Sequence, residues 1–250
     1  MAARKEEEGG KGESRLVEPS LWERLERPAP TQRASLTLDR IAEAAVQLAD
    51  EEGATAVTMR RLATKLGVAP MAAYRHVSGK DDLWALMFDR VSAQLTVADE
   101  VEDWREVLRS IALRTRELML RHPWLGQVPT PLIQLTPARM AVAERQLRAL
   151  AGHDLDADSM MAAFRAVGAF VHGATQSEIA LRAYKRDHGW ESGDETRQAL
   201  APQMNYLMGT GRYPTYRKYA LSATRKDDPG WEFEFGLDCV LDGIAQRLGI

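Results

Sequence analysis

Residues 58–83 read TMRRLATKLGVAPMAAYRHVSGKDDL. Thr58 is a natural N-cap, because its hydroxyl can accept an N–H of the first turn. Met59, Leu62, Ala63 and Leu66 follow at i, i+3, i+4 and i+7, the spacing of a helix with one buried stripe. Gly67 ends that helix, since glycine enters the left-handed conformation of a helix stop without steric cost. Pro70 then opens a segment of barely two turns that carries Tyr74, Arg75 and His76 in a row. The segment breaks at Ser78-Gly79, where Ser78 and Asp81 resemble a capping box for another helix, with Asp in place of the usual Glu.

Residues 58–80 hold Arg60, Arg61, Lys65, Arg75 and Lys80 and no acid, while Glu51, Glu52, Asp81 and Asp82 stand just outside. The whole chain has a net charge of only −3, so positive charge is local rather than global. That is the footprint of a site where a phosphate backbone docks. Charge clustering alone fits a solvated helical hairpin as well. The joint pattern selects more: a capped helix, a glycine turn, a short helix with exposed polar residues, and a further capped helix form the helix-turn-helix plan. Leu62, Leu66, Val68 and Val77 can bury the back of the pair. Pro70, Met71, Ala72, Tyr74, Arg75 and His76 are then left to meet a duplex. Arginine pairs bidentately with guanine, and Met71 and Ala72 suit a thymine methyl. Tyr74 and Lys80 suit phosphate contacts.

Outward from this stretch the helical periodicity continues. Ile41, Ala45, Leu48 and Ala49 line a preceding helix with Thr37 as its cap, and Leu83, Leu86, Met87 and Val91 line the following one. Trp104, Val107, Leu108, Ile111, Thr115 and Leu118 form a stripe that ends near His122-Pro123. Prolines 129, 131 and 137 indicate a loop. A helix with Met140, Ala143, Leu147 and Leu150 inward comes next, then a long one over about 157–184. Helices near 195–208, 213–224 and 231–248 complete the chain. The expected fold is all-α, with about nine or ten helices: a helix-turn-helix domain over 36–95 and a helical domain over 99–250. Residues 1–35 hold seven basic and seven acidic residues with Gly and Pro, and read as a mostly disordered arm whose Leu21, Trp22 and Leu25 can dock.

A single cysteine, Cys239, excludes an intrachain disulfide framework and a thiolate metal cluster, and suits a reducing compartment. No apolar run approaches the ~20 residues of a membrane span, and the first 15 residues lack the apolar core of a secretory signal. A cytoplasmic protein without membrane contact is expected. Past residue 99 there is no nucleophile–base signature, phosphate loop or metal spacing, and His122, His153, His172 and His188 are scattered. No enzyme and no cofactor is expected. An all-α ligand-binding or enzymatic protein with an incidental basic hairpin is the rival reading, and a ligand-blind DNA-binding repressor is another.

Residues 36–91 resemble the DNA-binding region of the TetR family of bacterial transcriptional regulators, and FEFGLDCVLDGIAQRL at 233–248 resembles the end of the tetracycline-repressor-like regulatory domain. The resemblance implies a homodimer that binds a palindromic operator in double-stranded DNA and responds to a small-molecule effector of unknown identity. It implies DNA contacts at Thr37, Thr58, Arg60, Pro70, Met71, Ala72, Tyr74, Arg75, His76 and Lys80. Many relatives carry Ser or Thr where Ala72 stands, so one hydroxyl contact is missing. An effector pocket is implied among the middle helices, with Trp104, Leu108, His122, Trp124, Phe164, Gly168, His172 and Gln176 as candidates, each of them alternatively plain core. The long helix and the last helix are implied as the dimer seam, through Val167, Val171, Leu237, Val240, Leu241, Ile244 and Leu248, with an internal core as the competing account.

Overall fold

Short polar side chains set where the helices begin. The Thr37 hydroxyl accepts the N–H of Arg40 at 3.2 Å, that of Thr58 the N–H of Arg61 at 3.3 Å, and that of Thr136 the N–H of Arg139 at 3.4 Å. Asp103, Asp156 and Asp228 cap three further helices in the same way. Each such cap satisfies one of the N–H groups that a helix start leaves open.

The computed structural model describes residues 20–26, 36–95, 101–127 and 135–250. The helices are α1 (Leu21–Glu26), α2 (Leu38–Glu52), α3 (Met59–Leu66), α4 (Pro70–Tyr74), α5 (Lys80–Ser92), α6 (Trp104–Arg121), α7 (Pro137–Ala151), α8 (Ala157–Asp187), α9 (Gly193–Gly209), α10 (Pro214–Ser222) and α11 (Pro229–Leu248). No strand occurs among the described residues. The segment up to Ser35 and the body from Leu36 are separate units. In the former, α1 starts with a reciprocal cap: the Glu23 N–H donates to Ser20 Oγ at 3.2 Å, and the Ser20 N–H to Glu23 Oε2 at 2.7 Å. The other arm residues, and with them the expectation of disorder, lie outside the described residues.

In the body, α2 packs on α5 and α3, and α3 on α4. The expected stripes of α2 (Ile41, Ala45, Leu48, Ala49) and α5 (Leu83, Leu86, Met87, Val91) are buried, and in that of α3 Leu62 and Ala63 are buried while Met59 and Leu66 are half-buried. Each large apolar side chain withdrawn from water contributes about 1.5–3 kcal/mol. The helix α5 also packs on α7, which makes it an element shared by both halves of the body. Beyond it, α6 packs on α7 and α8, and α8 on α11. An ion pair pins that second layer. Arg116 donates from Nε at 3.0 Å and from Nη2 at 2.8 Å to Glu178, and its guanidinium lies 5.1 Å from the Phe233 ring centre.

Three sequence expectations change. The start of α5 is capped at Gly79, and the carboxylate that reaches back to the Ser78 N–H, at 2.9 Å, belongs to Asp82 rather than Asp81. Pro137 is no loop residue but the first residue of α7, where its fixed φ suits the helix and its missing N–H costs nothing. Along α7 the buried positions are Val142, Gln146, Ala149 and Leu150, while Met140 is exposed. The inner face is therefore rotated from the one that apolar residues alone mark, because a polar side chain occupies it.

The turn between α3 and α4 depends on one backbone conformation. Gly67 has φ 67° and ψ 31°, its N–H reaches the Thr64 carbonyl at 3.1 Å, and the Val68 N–H reaches the Ala63 carbonyl at 3.0 Å. This pair of bonds is a Schellman stop. A Cβ added at Gly67 meets no atom within 4 Å, so Gly67→Ala should cost only the left-handed strain of about 1–2 kcal/mol. Chemical denaturation should show that loss, with Gly67→Asn less affected.

Candidate nucleic-acid interface and effector cavity

The α3–α4 pair buries Leu62, Ala63, Ala73 and Val77 and turns the rest outward. Met71 is 69% exposed and Tyr74 47%, both large values for such side chains. Arg60, Pro70, Arg75 and Lys80 are exposed; Ala72 and His76 are partly so. Thr37 and Thr58 sit at the starts of α2 and α3. Their oxygens accept backbone N–H groups while each O–H proton remains available to donate. All ten expected contact residues therefore have accessible surface.

The cationic cluster is leaner than the sequence suggests. Arg61 pairs with Glu52, and Lys65 Nζ lies 2.7 Å from Glu51 Oε2. The acids that end α2 thus fold back on α3. Arg60, Arg75 and Lys80 have no carboxylate partner among the described residues, and Lys80 Nζ lies 5.7 Å from the Trp84 ring centre. These three cations flank the exposed face of α4.

Behind this layer lies a cavity of about 140 Å³ between α5, α6, α7 and α8. Phe88, Ile111, Leu118, Met119, Phe164 and Val171 supply apolar wall; Ser92, Thr115, Arg139, Gln146 and His172 supply polar groups. Of the expected effector residues, Phe164, Gly168 and His172 line it. Trp104 and Leu108 are buried core of α6 outside that wall. Gln176 packs against Gly126, with Nε2 buried and unpartnered. Sequence reasoning missed Phe88, Ser92, Arg139 and Gln146. A faint signal existed for Arg139, a cation in the first turn of a helix, where the backbone dipole disfavours it.

His122 and Trp124 occupy a junction. The Trp124 indole N–H donates to Asp50 Oδ1 at 2.7 Å, and His122 Nδ1 lies 2.7 Å from the same oxygen. A carboxylate only accepts, so Nδ1 carries the proton there. Trp124 is 1% exposed and rests on Trp84 (centroids 5.9 Å) and edge-on against Phe88 (5.7 Å). Asp50 belongs to α2 and Phe88 is cavity wall, so one ring system touches both layers.

The sequence model described as "Bacterial regulatory proteins, tetR family" matches residues 41–87, and that of the "Tetracyclin repressor-like, C-terminal domain" matches residues 97–248. The chain belongs to the TetR family of bacterial regulatory proteins. The HTH-type transcriptional repressor DrrR1 of Streptomyces coeruleorubidus is 34% identical to this TetR-family chain over 252 residues, spanning 97% of this chain and 91% of the relative. Among solved structures, apo ActR from Streptomyces coelicolor superposes with a TM-score of 0.72 at 26% identity, covering 87% of this chain and 99% of that one. The TetR family protein ActR in complex with actinorhodin gives 0.67 at 26%, covering 84% and 96%.

The expected dimer residues of this TetR-family chain are placed mostly inward. Val167 and Val171 face the cavity, and Leu237, Leu241 and Ile244 are buried within the single chain. Val240 and Leu248 are half-buried. The junction yields the sharpest stability test. Asp50→Ala removes the acceptor from two buried rings and should cost about 2–3 kcal/mol, the penalty of an unsatisfied buried donor plus a lost charged bond. Asp50→Asn, which keeps one acceptor oxygen, should lose less. Urea denaturation followed by tryptophan fluorescence measures both.

Proposed function

We propose that this chain is a ligand-responsive transcriptional repressor: a homodimer that binds a palindromic operator in double-stranded DNA and leaves it when a small molecule occupies the cavity. The observation that carries the DNA half is the α3–α4 pair, locked by the Gly67 stop, with Met71, Tyr74 and Arg75 outward and three uncompensated cations around them. In this reading Arg75 reads base edges, Met71 and Ala72 meet thymine methyls, and Thr37, Thr58, Arg60, Tyr74 and Lys80 hold the backbone. The start of α4, at Pro70, enters the groove. The reading assigns no catalysis and places the protein with its DNA; among the described residues no helix is long and apolar enough to cross a membrane.

Dimerisation is supported by surface that the single chain leaves uncovered. No residue of α9 or α10 is buried, and Tyr206, Tyr213, Tyr216, Tyr219 and Leu221 stand exposed on and beside them. On α11, Trp231 is 39% and Phe235 58% exposed. A partner chain covering such patches accounts for them better than solvent does. A two-fold dimer carries its two α4 helices about 34 Å apart, one turn of the duplex, and so requires an inverted repeat.

Ligand response is supported by the shared ring system. A molecule in the cavity touches Phe88, Phe88 touches Trp124, and Trp124 holds Asp50 of α2. Moving α5 against that junction alters the separation of the two readers. Lowering operator affinity a thousandfold takes about 4 kcal/mol of coupling, and the ligand must bind operator-bound protein more weakly by the same factor.

Selection from a randomised duplex pool tests the reading. The wild type should recover a symmetric motif. Arg75→Ala should lose about 1–3 kcal/mol and relax one position in each half-site, whereas Lys80→Ala should weaken binding to all sequences and reduce the salt slope by about one. An unchanged motif with Arg75→Ala removes the assigned role of that residue, and recovery of no motif by the wild type removes the regulator reading.

A further inference from the structure

The other partly buried arginines of the body each have an oxygen acceptor. Arg116 has Glu178, Arg109 has Glu234 and Asp238, Arg105 has Asp242, and Arg145 donates to the Val101 carbonyl. Arg139 is different. It lines the cavity, and no carboxylate or carbonyl accepts from its guanidinium among the described residues. Burial pushes its pKa below the ordinary arginine value. It also sits in the first turn of α7, where the helix dipole opposes a cation.

A desolvated guanidinium facing an apolar space is costly unless an anion meets it. The neighbouring groups do not. Asp89 accepts the Ala138 N–H at Oδ1, 2.7 Å away, and Thr136 accepts the Arg139 N–H; neither is paired with the guanidinium, whose lowered pKa has burial as its only cause. Among the described residues the cavity wall contains no carboxylate, and Arg139 is the only permanent charge on it. Gln146 is 5% exposed and lines the same cavity. A fork of donors, an amide two turns further along the same helix and a chamber of mainly aromatic and aliphatic walls together describe one kind of occupant.

We infer that the cavity takes a compact aromatic acid, whose carboxylate pairs with Arg139 while its ring body lies against Phe88, Met119 and Phe164 and a further polar group meets Gln146. The space of about 140 Å³ is small beside the ~300–1,000 Å³ of pockets for drug-sized ligands, so one or two fused rings fit without rearrangement. Neutral compounds leave the guanidinium unpaired, and cations are repelled by it. The inference rests on the reading of this cavity as the effector site and goes further, to the charge and class of the effector.

Isothermal titration of the full-length protein with three matched probes tests it: naphthalene-2-carboxylate, naphthalene-2-carboxamide and 2-naphthylmethylammonium. The wild type should bind the carboxylate about tenfold or more tighter than the amide, as a charge-assisted bidentate pair implies, and the ammonium weakest. Arg139→Gln should erase the preference for acid over amide and leave the amide affinity within about twofold. Arg139→Lys, which keeps the charge without the fork, should retain part of the preference. Equal binding of acid and amide by the wild type, preference for the ammonium, binding of none of the three, or an acid preference that survives Arg139→Gln would each overturn the inference. Addition of the carboxylate to the operator complex separates the two levels. An acid that binds through Arg139 yet leaves the operator bound contradicts the effector reading and not the ligand class. Release of the operator by a neutral compound alone contradicts the ligand class and not the effector reading.

Discussion

One carboxylate oxygen holds the two functional layers together. Asp50 Oδ1, near the end of α2, faces both the Trp124 indole N–H and His122 Nδ1 at 2.7 Å. Hydrogen bonds to a charged acceptor are stronger than neutral ones, and in a partly buried site their loss strands the donors. The bond fixes where α2 stands against the turn that follows α6, and α2 in turn packs on α3, which carries α4. Whatever α4 presents outward is therefore positioned from the opposite side of the body, through a junction that the cavity wall also touches.

Charge is used differently in the two layers. At the reader, Glu51 and Glu52 pair with Lys65 and Arg61, which leaves Arg60, Arg75 and Lys80 beside α4 as cations without a carboxylate partner among the described residues. Exposed pairs of this kind contribute little to stability; their effect is to focus the surface potential. Within the cavity the logic is inverted. Arg139 is kept without a counter-charge among the described residues, and Gln146 is turned into the same space, although a methionine or leucine would pack there at lower cost. A fold that retains such groups leaves its pairing to be completed by something that enters.

Local chemistry made much of the fold legible in the sequence. Thr37, Thr58 and Gly67 act through neighbours three to five residues away, so their roles can be read from spacing alone. The stripes of α2 and α5 are likewise single-helix properties. What could not be read depends on which helices meet. His122 and Trp124 look like pocket residues in a linear reading, but their partner Asp50 is 72 and 74 positions away. Apolar periodicity marks Val167, Val171, Leu237, Leu241 and Ile244 as sticky without saying whether the neighbour is the same chain or another. The same signal ignores polar residues, so it rotated the inner face of α7 away from Gln146 and passed over Arg139. Those side chains face inward, where a pattern of apolar residues has no means of registering them.

The account stands or falls on two copies of α4 reading one duplex. Footprinting on a genomic fragment recovered with the purified protein, combined with sedimentation of the complex, measures this directly. The expected result is a protected inverted repeat, its half-site centres about one helical turn apart or slightly more, bound by an even number of chains. Protection of a single asymmetric site saturated by one chain, or no protection at low salt, would contradict it.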